Sequence, residues 1–351
     1  MEASLISGKQ ADEGKPQIDA VSPALALPGG EIRLTGRYLT PPAFHRPVIR
    51  FGDAEGGLVS GSDRSIVARV PEDAGPEVLV QVNGFTSNAF PVAVAALAAD
   101  GLHPVASPAV DSSGNIYTTF SGPRGQKVPV SIFKIDAGRN AQPFVTDVMN
   151  ATGLAMDRKG LLYVSSRYDG AVYRISHAGG VSIYAEGMGV ATGIAFDRDG
   201  NLYVGDRTGT IFKISTDQQV FVFATLEPSV AAYHLAFNPQ GHLFVTGPTT
   251  SSHEAVYRID PTGTVHTFYR GLGRPQGLAF DAHGNLYVAA SLAGRRGIVR
   301  ITPEGEAGLA VAGHQLVGIA FAPDGEMVLA TTGEIYTLAS GITGLALPPA
   351  V

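Results

Sequence analysis

Gly193-Ile-Ala-Phe-Asp-Arg-Asp-Gly-Asn-Leu-Tyr203 decides the fold, because related stretches occur five more times along the chain. Each copy has an apolar strand, a tight turn that ends in glycine, and a second apolar strand. A period near 40 residues built from short strands is typical of a β-propeller, with one four-stranded blade per repeat. The turn glycines are 40 to 46 residues apart: Gly114, Gly160, Gly200, Gly241, Gly284 and Gly325. The sequence therefore predicts an all-β chain with a six-bladed propeller over residues 97–351.

We number these copies repeats 1 to 6 in chain order; they span residues 107–117, 153–163, 193–203, 234–244, 277–287 and 318–328. A third strand with alternating apolar residues follows each copy, as in Thr210-Ile-Phe-Lys-Ile214. Fourth strands such as Val220–Ala224 are expected at the outer edge. The turn glycines are expected at positive φ, because a tight hairpin requires it. The outer strand of the last blade is left open between Ile342–Leu347 and the segment after Phe90.

The composition fits this architecture. Apolar residues make up 44% of the 351 residues and charged residues 16%, with 44 glycines and 23 prolines, which is typical of a turn-rich β protein with a sizeable core. The net charge of −6 is spread without long runs, so we expect no attraction to nucleic acid or anionic lipid. The absence of cysteine excludes disulfides and thiolate chemistry. No stretch resembles a membrane span or a signal peptide, so we expect a soluble protein, either cytoplasmic or exported after loss of a leader.

The N-terminal part of the chain has a different pattern. Residues 1–14 are polar and are expected to form a disordered tail. Residues 15–96 contain short alternating strands separated by turn signals, which predicts a small β-sandwich. The predicted strands are Glu31–Leu34, Val48–Phe51, Ser65–Val70 and Val78–Val82.

Several linked positions in this segment, among them Gly29-Gly30, Phe51-Gly52, Val70-Pro71 and Ser87-Asn88, resemble an IPT/TIG domain, which is an immunoglobulin-like module. The resemblance implies a spacer or a protein-interaction module. Some members of that family contribute to DNA binding, but this segment has no loop of clustered Lys and Arg, so no nucleic-acid partner is expected.

The repeats resemble the NHL family and the wider group of propellers that contains senescence-marker/gluconolactonase proteins and streptogramin lyases. The chain has no tryptophan, which argues against a WD-repeat propeller. The resemblance implies a fold more than a chemistry, because this scaffold carries many unrelated functions.

The residues just before each innermost strand are the first candidates for a metal site. In gluconolactonase-like relatives, positions of this kind carry Glu, Asn and Asp ligands. Here they are Ala106, Thr152, Thr192, Tyr233, Gln276 and Val317. A hard cation prefers carboxylate ligands, and none of the six is a carboxylate. No metal or other cofactor is therefore expected.

An enzymatic alternative rests on repeat 4 and the loop after it. Streptogramin lyases use a His, a Glu and a magnesium ion, and His234, His253 and Glu254 offer a comparable set. Under this alternative a divalent metal such as calcium or magnesium would bind, and the protein would be a lactonase-like hydrolase or a lyase. A structural role for these residues is the simpler interpretation.

Positive charge recurs in the loops between second and third strands. These loops, together with the segments entering the innermost strands, are expected to share one face around the channel, the default binding site. The loops contain Arg124 with Lys127, Arg167 with Tyr168, Asp206 with Arg207, and Arg295 with Arg296. Guanidinium groups pair well with carboxylate, phosphate or sulfate. Asp169, Asp206 and Glu254 are expected to neutralise part of this charge.

The sequence thus favours a non-catalytic binding protein whose propeller face engages a protein, a glycan or a small anionic ligand. The predicted contacts are Arg124, Arg167, Arg207, Tyr233, Gln276, Arg295 and Arg296. We expect a monomer with no membrane span. A purely structural role, with both domains as spacers, is a third interpretation.

Overall fold

A computed structural model describes residues 14–40, 46–250 and 254–345. All regular elements in these ranges are β-strands, and the described residues contain no helix that could cross a membrane. The chain forms two compact units. One comprises the residues up to 94 with Val311–Gly313, and the other comprises Ala95–Ala310 and the residues from 314 onward.

The first unit contains ten strands. They are β1 Gln17–Ser22, β2 Leu25–Ala26, β3 Glu31–Arg37, β4 Val48–Phe51, β5 Ala54–Ser62, β6 Ser65–Arg69, β7 Glu77–Val82, β8 Phe85–Thr86, β9 Phe90–Pro91 and β10 Ala93–Val94. The pairing order is β1-β3-β6-β5-β4-β7-β8, with β9 also paired to β7. Alternate residues of β3, β4, β6 and β7 are buried, and Leu34, Phe51 and Ile66 are fully enclosed. Three of the four predicted strands lie within observed strands, and the fourth, Ser65–Val70, extends one residue beyond β6; the inner faces of these strands form the core of this unit.

The second unit begins with β11 Ala96–Ala99 and continues through four successive four-stranded sheets. These are β12 Ala109–Val110, β13 Ile116–Thr119, β14 Ile132–Ile135 and β15 Ala141–Val145; β16 Ala151–Met156, β17 Leu162–Ser166, β18 Val172–Ile175 and β19 Val181–Ala185; β20 Ala191–Phe196, β21 Leu202–Asp206, β22 Thr210–Ile214 and β23 Val220–Thr225; and β24 His234–Phe237, β25 Leu243–Thr246, β26 Ala255–Ile259 and β27 Val265–Arg270.

Two further sets of strands complete the unit: β28 Leu272–Gly273, β29 Leu278–Phe280, β30 Leu286–Leu292, β31 Arg295–Ile301 and β32 Ala307–Ala312, then β33 Leu316–Phe321, β34 Glu326–Thr331 and β35 Ile335–Ala339. In the first set β30 pairs with β28, β29 and β31. In the second, β33, β34 and β35 form a four-stranded sheet with β11 as its outer strand. The segment after Phe90 therefore supplies the last outer strand, whereas Gly344 bridges to Asp281.

The innermost strands form a closed ring. β12, β16, β20, β24, β29 and β33 each contact the next, and β33 contacts β12. The ring is tight where these strands begin: the amide of Gly193 donates to the carbonyl of Tyr233 at 2.9 Å, and that of Gly277 donates to Val317 at 3.0 Å. A side chain at Gly193 would overlap the carbonyl oxygen of Tyr233. Glycine at the start of these strands therefore lets neighbouring strands approach closely.

The turn of repeat 3 shows how a side chain closes the repeated hairpin. In repeat 3, Asp197 Oδ1 accepts from the amides of Asp199 at 2.8 Å and Asn201 at 2.9 Å, and its Oδ2 accepts from Asn201 Nδ2 at 2.8 Å. The six turn glycines have φ between 73° and 88°, so the predicted positive φ is confirmed. Tyr203 then packs edge-to-face between Phe223 at 4.9 Å and Phe237 at 5.0 Å. The sequence motif thus closes the hairpin and also fills the space between neighbouring sheets.

Candidate ligand-binding face

The loops that follow the second strands contact the segments that enter the next innermost strands. The amide of Met188 donates to the carbonyl of Gly170, and the amide of Leu226 donates to the carbonyl of Gly209. In addition, Arg207 donates from Nε to the carbonyl of Ser229 at 3.2 Å and from Nη2 to that of Val230 at 2.7 Å. These loops therefore form one surface at the end of the ring where the innermost strands begin, and we call this surface the entry face.

Arg167 is the central cation of the entry face. Its Nη2 donates to the carbonyl of Gly122 at 2.7 Å, while its Nε is buried and has no hydrogen-bond partner among the described residues. Burial lowers the pKa of Arg167, and the positive charges of Arg207 and Arg124 lower it further. Arg124 and Arg207 are thus each close enough to repel Arg167, although the three arginines come from three different sheets.

A buried asparagine holds the loop that carries Arg124. Asn150 Oδ1 accepts from the amide of Gly125 at 2.7 Å, and its Nδ2 donates to the carbonyls of Gly122 and Pro123, each at 3.0 Å. Asn150 is fully buried, with φ of 51°. Because Arg124 lies between the anchored residues, its backbone is fixed beside Arg167. Sequence reasoning missed Asn150, and nothing in the repeat pattern singles it out.

The described acidic residues on this face accept hydrogen bonds from their own loops and form no direct ion pair with the arginines. Asp206 Oδ1 accepts from the amides of Val190 at 2.9 Å and Thr208 at 3.2 Å, and Asp169 accepts from the hydroxyl of Tyr173 at 2.5 Å. Within the described ranges, the guanidinium groups of Arg124, Arg167 and Arg207 form no ion pair with a carboxylate. Short polar loops use their carboxylates to satisfy their own backbone. The guanidinium groups of the cluster are therefore not engaged in ion pairs among the described residues.

The other predicted contacts lie in different surroundings. Tyr233 is only 1% exposed, and its hydroxyl donates to the carbonyl of Glu227, so the ring belongs to the core. Gln276 is half-buried, and its carbonyl accepts from the hydroxyl of Thr246 at 2.5 Å. Arg295 and Arg296 begin β31 opposite Leu292 and Ser291 of β30, and as neighbours on a strand they point to opposite faces. Of these residues, Arg296 is exposed.

Lys127, which flanks the cluster, is engaged elsewhere. Its ammonium lies 3.5 Å from the carboxylate of Asp147, and both side chains are about 70% exposed. Exposed pairs of this kind contribute little to stability and are screened by salt. Lys127 therefore adds less to the local positive charge than the three arginines do.

The residues of the enzymatic alternative lie in different surroundings. His234 begins β24, is 4% exposed and lines a cavity of about 40 Å³ in the ring together with Ser107 and Gly193. Burial lowers the pKa of His234 to about 4, so the imidazole is neutral near pH 7. Glu254 accepts a hydrogen bond from the amide of Arg274, and His253 lies outside the described residues.

The hydroxyl groups at the channel entrance are hydrogen-bonded to backbone carbonyls. The hydroxyl of Thr152 donates to the carbonyl of Asn150 at 3.0 Å, and that of Thr192 donates to Gly205 at 2.8 Å. Within the described ranges, no group of three or more His, Asp or Glu side chains is placed to hold a metal. Calcium and magnesium need several oxygen ligands, preferably carboxylates, which these positions do not offer.

Comparison with known proteins identifies the fold. No family model matches the chain, and no curated protein matches it. Among solved structures, a candidate gluconolactonase matches with a TM-score of 0.60 at 19% identity, covering 72% of this chain and 94% of its own. An auxiliary nutrient-binding protein from Bacteroides thetaiotaomicron matches with a TM-score of 0.54 at 13% identity, covering 93% of this chain and 98% of its own. A streptogramin B lyase matches with a TM-score of 0.51 at 16% identity, covering 81% of this chain and 92% of its own. These similarities and the closed ring of sheets define a β-propeller fold.

Proposed function

We propose that this protein binds an anionic ligand, without catalysis, through Arg124, Arg167 and Arg207 on the entry face of its propeller. One observation carries the proposal: burial and the charges of Arg207 and Arg124 lower the pKa of Arg167, yet none of the three arginines forms an ion pair with a carboxylate of the described residues. A bound anion would relieve this repulsion by pairing with Arg124 and Arg207, which are both exposed.

The ligand that fits this cluster carries carboxylate, sulfate or phosphate, either free or on a glycan or a protein side chain. Guanidinium groups recognise such groups with two parallel hydrogen bonds. The anchored loop around Arg124 and the bonds from Arg207 to Ser229 and Val230 hold the cations in place before binding, which lowers the entropic cost. A propeller of similar structure is described as an auxiliary nutrient-binding protein, which is consistent with a binding role.

The test is calorimetric titration with sulfate, phosphate, citrate and uronic-acid oligosaccharides at low and high salt. We expect at least one of these anions to bind, with affinity that falls as salt screens the arginines. Arg167→Ala with Arg207→Ala should weaken binding by about tenfold or more, because each lost charged hydrogen bond is worth about 1.5 kcal/mol or more.

Arg33→Ala with Arg64→Ala is the matched control, because it removes the same charge from exposed residues of the first unit. This control should bind the anions as the wild type does. Equal binding by both double variants, or binding that does not respond to salt, would contradict the proposal.

We also propose that the propeller has six blades of the NHL-like type, over residues 97–351. Five blades would be the separate four-stranded sheets, and the sixth would be β28 and β29 with β30, β31 and β32. The ring of six innermost strands, which closes through the contact of β33 with β12, supports this count. Cryo-electron microscopy or crystallography of the chain would test it directly.

For residues 15–96 we propose an immunoglobulin-like sandwich of the IPT/TIG type that acts as a spacer or interaction module. Support comes from β5, whose residues 54–56 pair with β4 while residues 57–62 pair with β6. One strand thus changes partner between two sets of strands, as strands at the corner of a sandwich do. Residues 15–96 expressed alone should unfold cooperatively if the segment is an independent domain.

A second candidate function, a lactonase-like hydrolase or lyase, is favoured by His234. Its imidazole lines the small cavity in the ring and is neutral at pH 7, although a pKa of about 4 makes it a weak general base. Turnover of lactone or cyclic-peptide substrates, with and without added calcium or magnesium, tests this candidate. Activity lost in His234→Ala, but retained in Arg167→Ala with Arg207→Ala, would support the enzyme over the binding protein.

A further inference from the structure

A larger cavity opens at the opposite end of the ring, where the innermost strands end in the glycine turns. Its volume is about 1540 Å³, and all six repeats contribute to its wall. Sites for small organic molecules usually measure about 300–1,000 Å³, so this funnel can hold a ligand much larger than a hydrated ion. The residues predicted from the sequence as ligand contacts do not line it.

The inner wall of this funnel is largely apolar. The second residue of each of repeats 2 to 6 lies at an equivalent position around it, with 1–9% of its surface exposed: Leu154, Ile194, Leu235, Leu278 and Ile319. At the mouth, the amide of Leu345 donates to the carbonyl of Phe280 at 2.9 Å, and the Leu345 side chain is 38% exposed. Transfer of an apolar group from water to such a wall is favourable by about 25 cal/mol per Å².

Positive charge is gathered on one side of the mouth. Arg158, Lys159 and Arg198 occupy the turns of repeats 2 and 3, whereas the residues equivalent to Arg158 and Arg198 in the other repeats are Ser112, Pro239, Ala282 and Pro323. Arg198 Nη2 donates to the carbonyl of Pro239 at 2.8 Å, and the buried Nε of Arg158 has no hydrogen-bond partner among the described residues.

Three carboxylates, of Asp111, Asp157 and Asp199, share the wall with these three cations, so an anion must be recognised by local pairing and not by net charge. Asp111 and Asp157 also line the funnel, but their Oδ1 atoms accept from the amides of Ser113 and Lys159 within their own turns. In the part of the chain that the structure describes, none of the three cations forms an ion pair. Asp199 is the one acidic neighbour in the wall whose carboxylate accepts no hydrogen bond among the described residues.

We infer that the turn-end funnel is a second binding site, for an amphiphilic anion with an apolar body and a single carboxylate or sulfonate. The apolar body lies against the ring of leucine and isoleucine side chains, and the anionic group pairs with Arg158 and Arg198 at the mouth. A polyanion fits less well, because the positive charge covers one side of the mouth only. An uncharged apolar molecule would use the wall but gain nothing from the cations.

The test uses two fluorescent probes of similar apolar body, anilinonaphthalene sulfonate, which is anionic, and phenylnaphthylamine, which is neutral. We expect both probes to bind the wild type, with decanoate displacing the sulfonate. Arg158→Ala with Arg198→Ala should lower the affinity for the sulfonate by about tenfold. The affinity for phenylnaphthylamine should change by less than about twofold, since only the sulfonate pairs with the guanidinium groups.

Two further variants make the result specific to this cavity. Arg33→Ala with Arg64→Ala removes the same charge from exposed residues of the first unit and should leave the binding of both probes unchanged. Ala320→Phe places a phenyl group in the funnel wall, where Ala320 is half-buried, and should lower the affinity for both probes. Thermal melts of each variant separate loss of the site from loss of the fold.

Sulfonate affinity that is the same in wild type and Arg158→Ala with Arg198→Ala would overturn the inference. So would equal losses in the two arginine double variants, because they would indicate a response to net charge. Failure of the entry-face titrations does not affect this result, because the two sites use different residues and different probes.

Discussion

Repeats 3 and 4 belong to two separate four-stranded sheets that have the same strand order but different residues at several repeat positions. Repeat 3, Gly193–Tyr203, has glycine at the ring, a carboxylate in the turn and tyrosine in the second strand; repeat 4, His234–Phe244, has histidine, asparagine and phenylalanine at those positions. Both keep a turn glycine, with φ of 84° and 81°. The turn geometry and the apolar alternation are therefore enough to form such a sheet. The remaining positions can differ, and with them the side chains that face the ring and its channel.

The largest expected effect comes from the position where repeat 3 has glycine. In Gly193→Val the new Cβ would overlap the carbonyl oxygen of Tyr233 and lie 2.9 Å from the Cα of His234. Neither backbone group can move without opening the ring, so we expect a loss of about 3 kcal/mol or more in the free energy of unfolding. Urea denaturation followed by tyrosine fluorescence measures it.

Gly308→Ala is the control for this change. No atom lies within 4 Å of a Cβ added at Gly308, so the variant should be as stable as the wild type within about 0.5 kcal/mol. If Gly193→Val were equally stable, the close approach between β20 and β24 would not limit the residue at this position.

The second effect depends on pH and concerns the histidine that repeat 4 has in place of glycine. The pKa of His234 is about 4 in the folded protein and about 6.5 in an unfolded chain. Between these values the unfolded state binds the extra proton, so folded stability falls as pH falls from about 6.5 to 4. The shift corresponds to about 3 kcal/mol at the acidic end.

His234→Gln removes this titration, so its stability should fall less than that of the wild type between pH 7 and pH 4, by up to about 3 kcal/mol. Chemical denaturation at several pH values measures the difference. His242→Gln, at a partly exposed residue of the same repeat, is the control and should follow the wild-type profile. Parallel profiles for wild type and His234→Gln would mean that the imidazole is not held neutral in the channel.

A third, smaller effect distinguishes the two turns. Asp197 accepts three hydrogen bonds, whereas Asn238 Oδ1 accepts two, from the amides of Gln240 at 3.1 Å and His242 at 2.8 Å. Hydrogen bonds to a charged acceptor are the stronger kind, so we expect Asp197→Ala to cost about 2–3 kcal/mol and Asn238→Ala about 1 kcal/mol. Denaturation midpoints of the two variants give the comparison, and equal losses would show that the carboxylate adds nothing to the turn.

The repeat pattern predicted the parts of the molecule that depend on local order. The strand pairs, the turn glycines and the alternation in strands such as Thr210–Ile214 follow from period-2 and period-40 regularities that a single sequence contains. The pattern left the last outer strand open between two segments, and the structure uses Ala96–Ala99, which lies far from β35 along the chain. Local order cannot choose between such distant partners.

The candidate sites depend on contacts that no periodicity encodes. Arg167 reaches the carbonyl of Gly122, which is 45 residues away, and Asn150 reaches back to the same loop. The sequence identified Arg167 as a cation on the correct kind of loop, but the engagement of Asp206 with its own backbone and the burial of Tyr233 depend on side-chain packing. Residue type and loop position therefore indicated the candidate residues. The structure was needed to show which of their side chains are free to contact a ligand.

The smallest expected effect concerns the outer strands of the same two sheets. β23, the outer strand after repeat 3, exposes Phe221 and Val222 at 54% and 66%, whereas β27, the outer strand after repeat 4, exposes His266 and Thr267. Both strands end their sheets, and an apolar edge strand without charge favours pairing with other chains. Val222→Lys should therefore change the free energy of unfolding by less than about 0.5 kcal/mol yet slow aggregation at high concentration, as light scattering measures. Thr267→Lys places the same charge on the polar edge and should change aggregation less; equal slowing by both variants would attribute the effect to net charge, and the apolar edge of β23 would then have no special part in it.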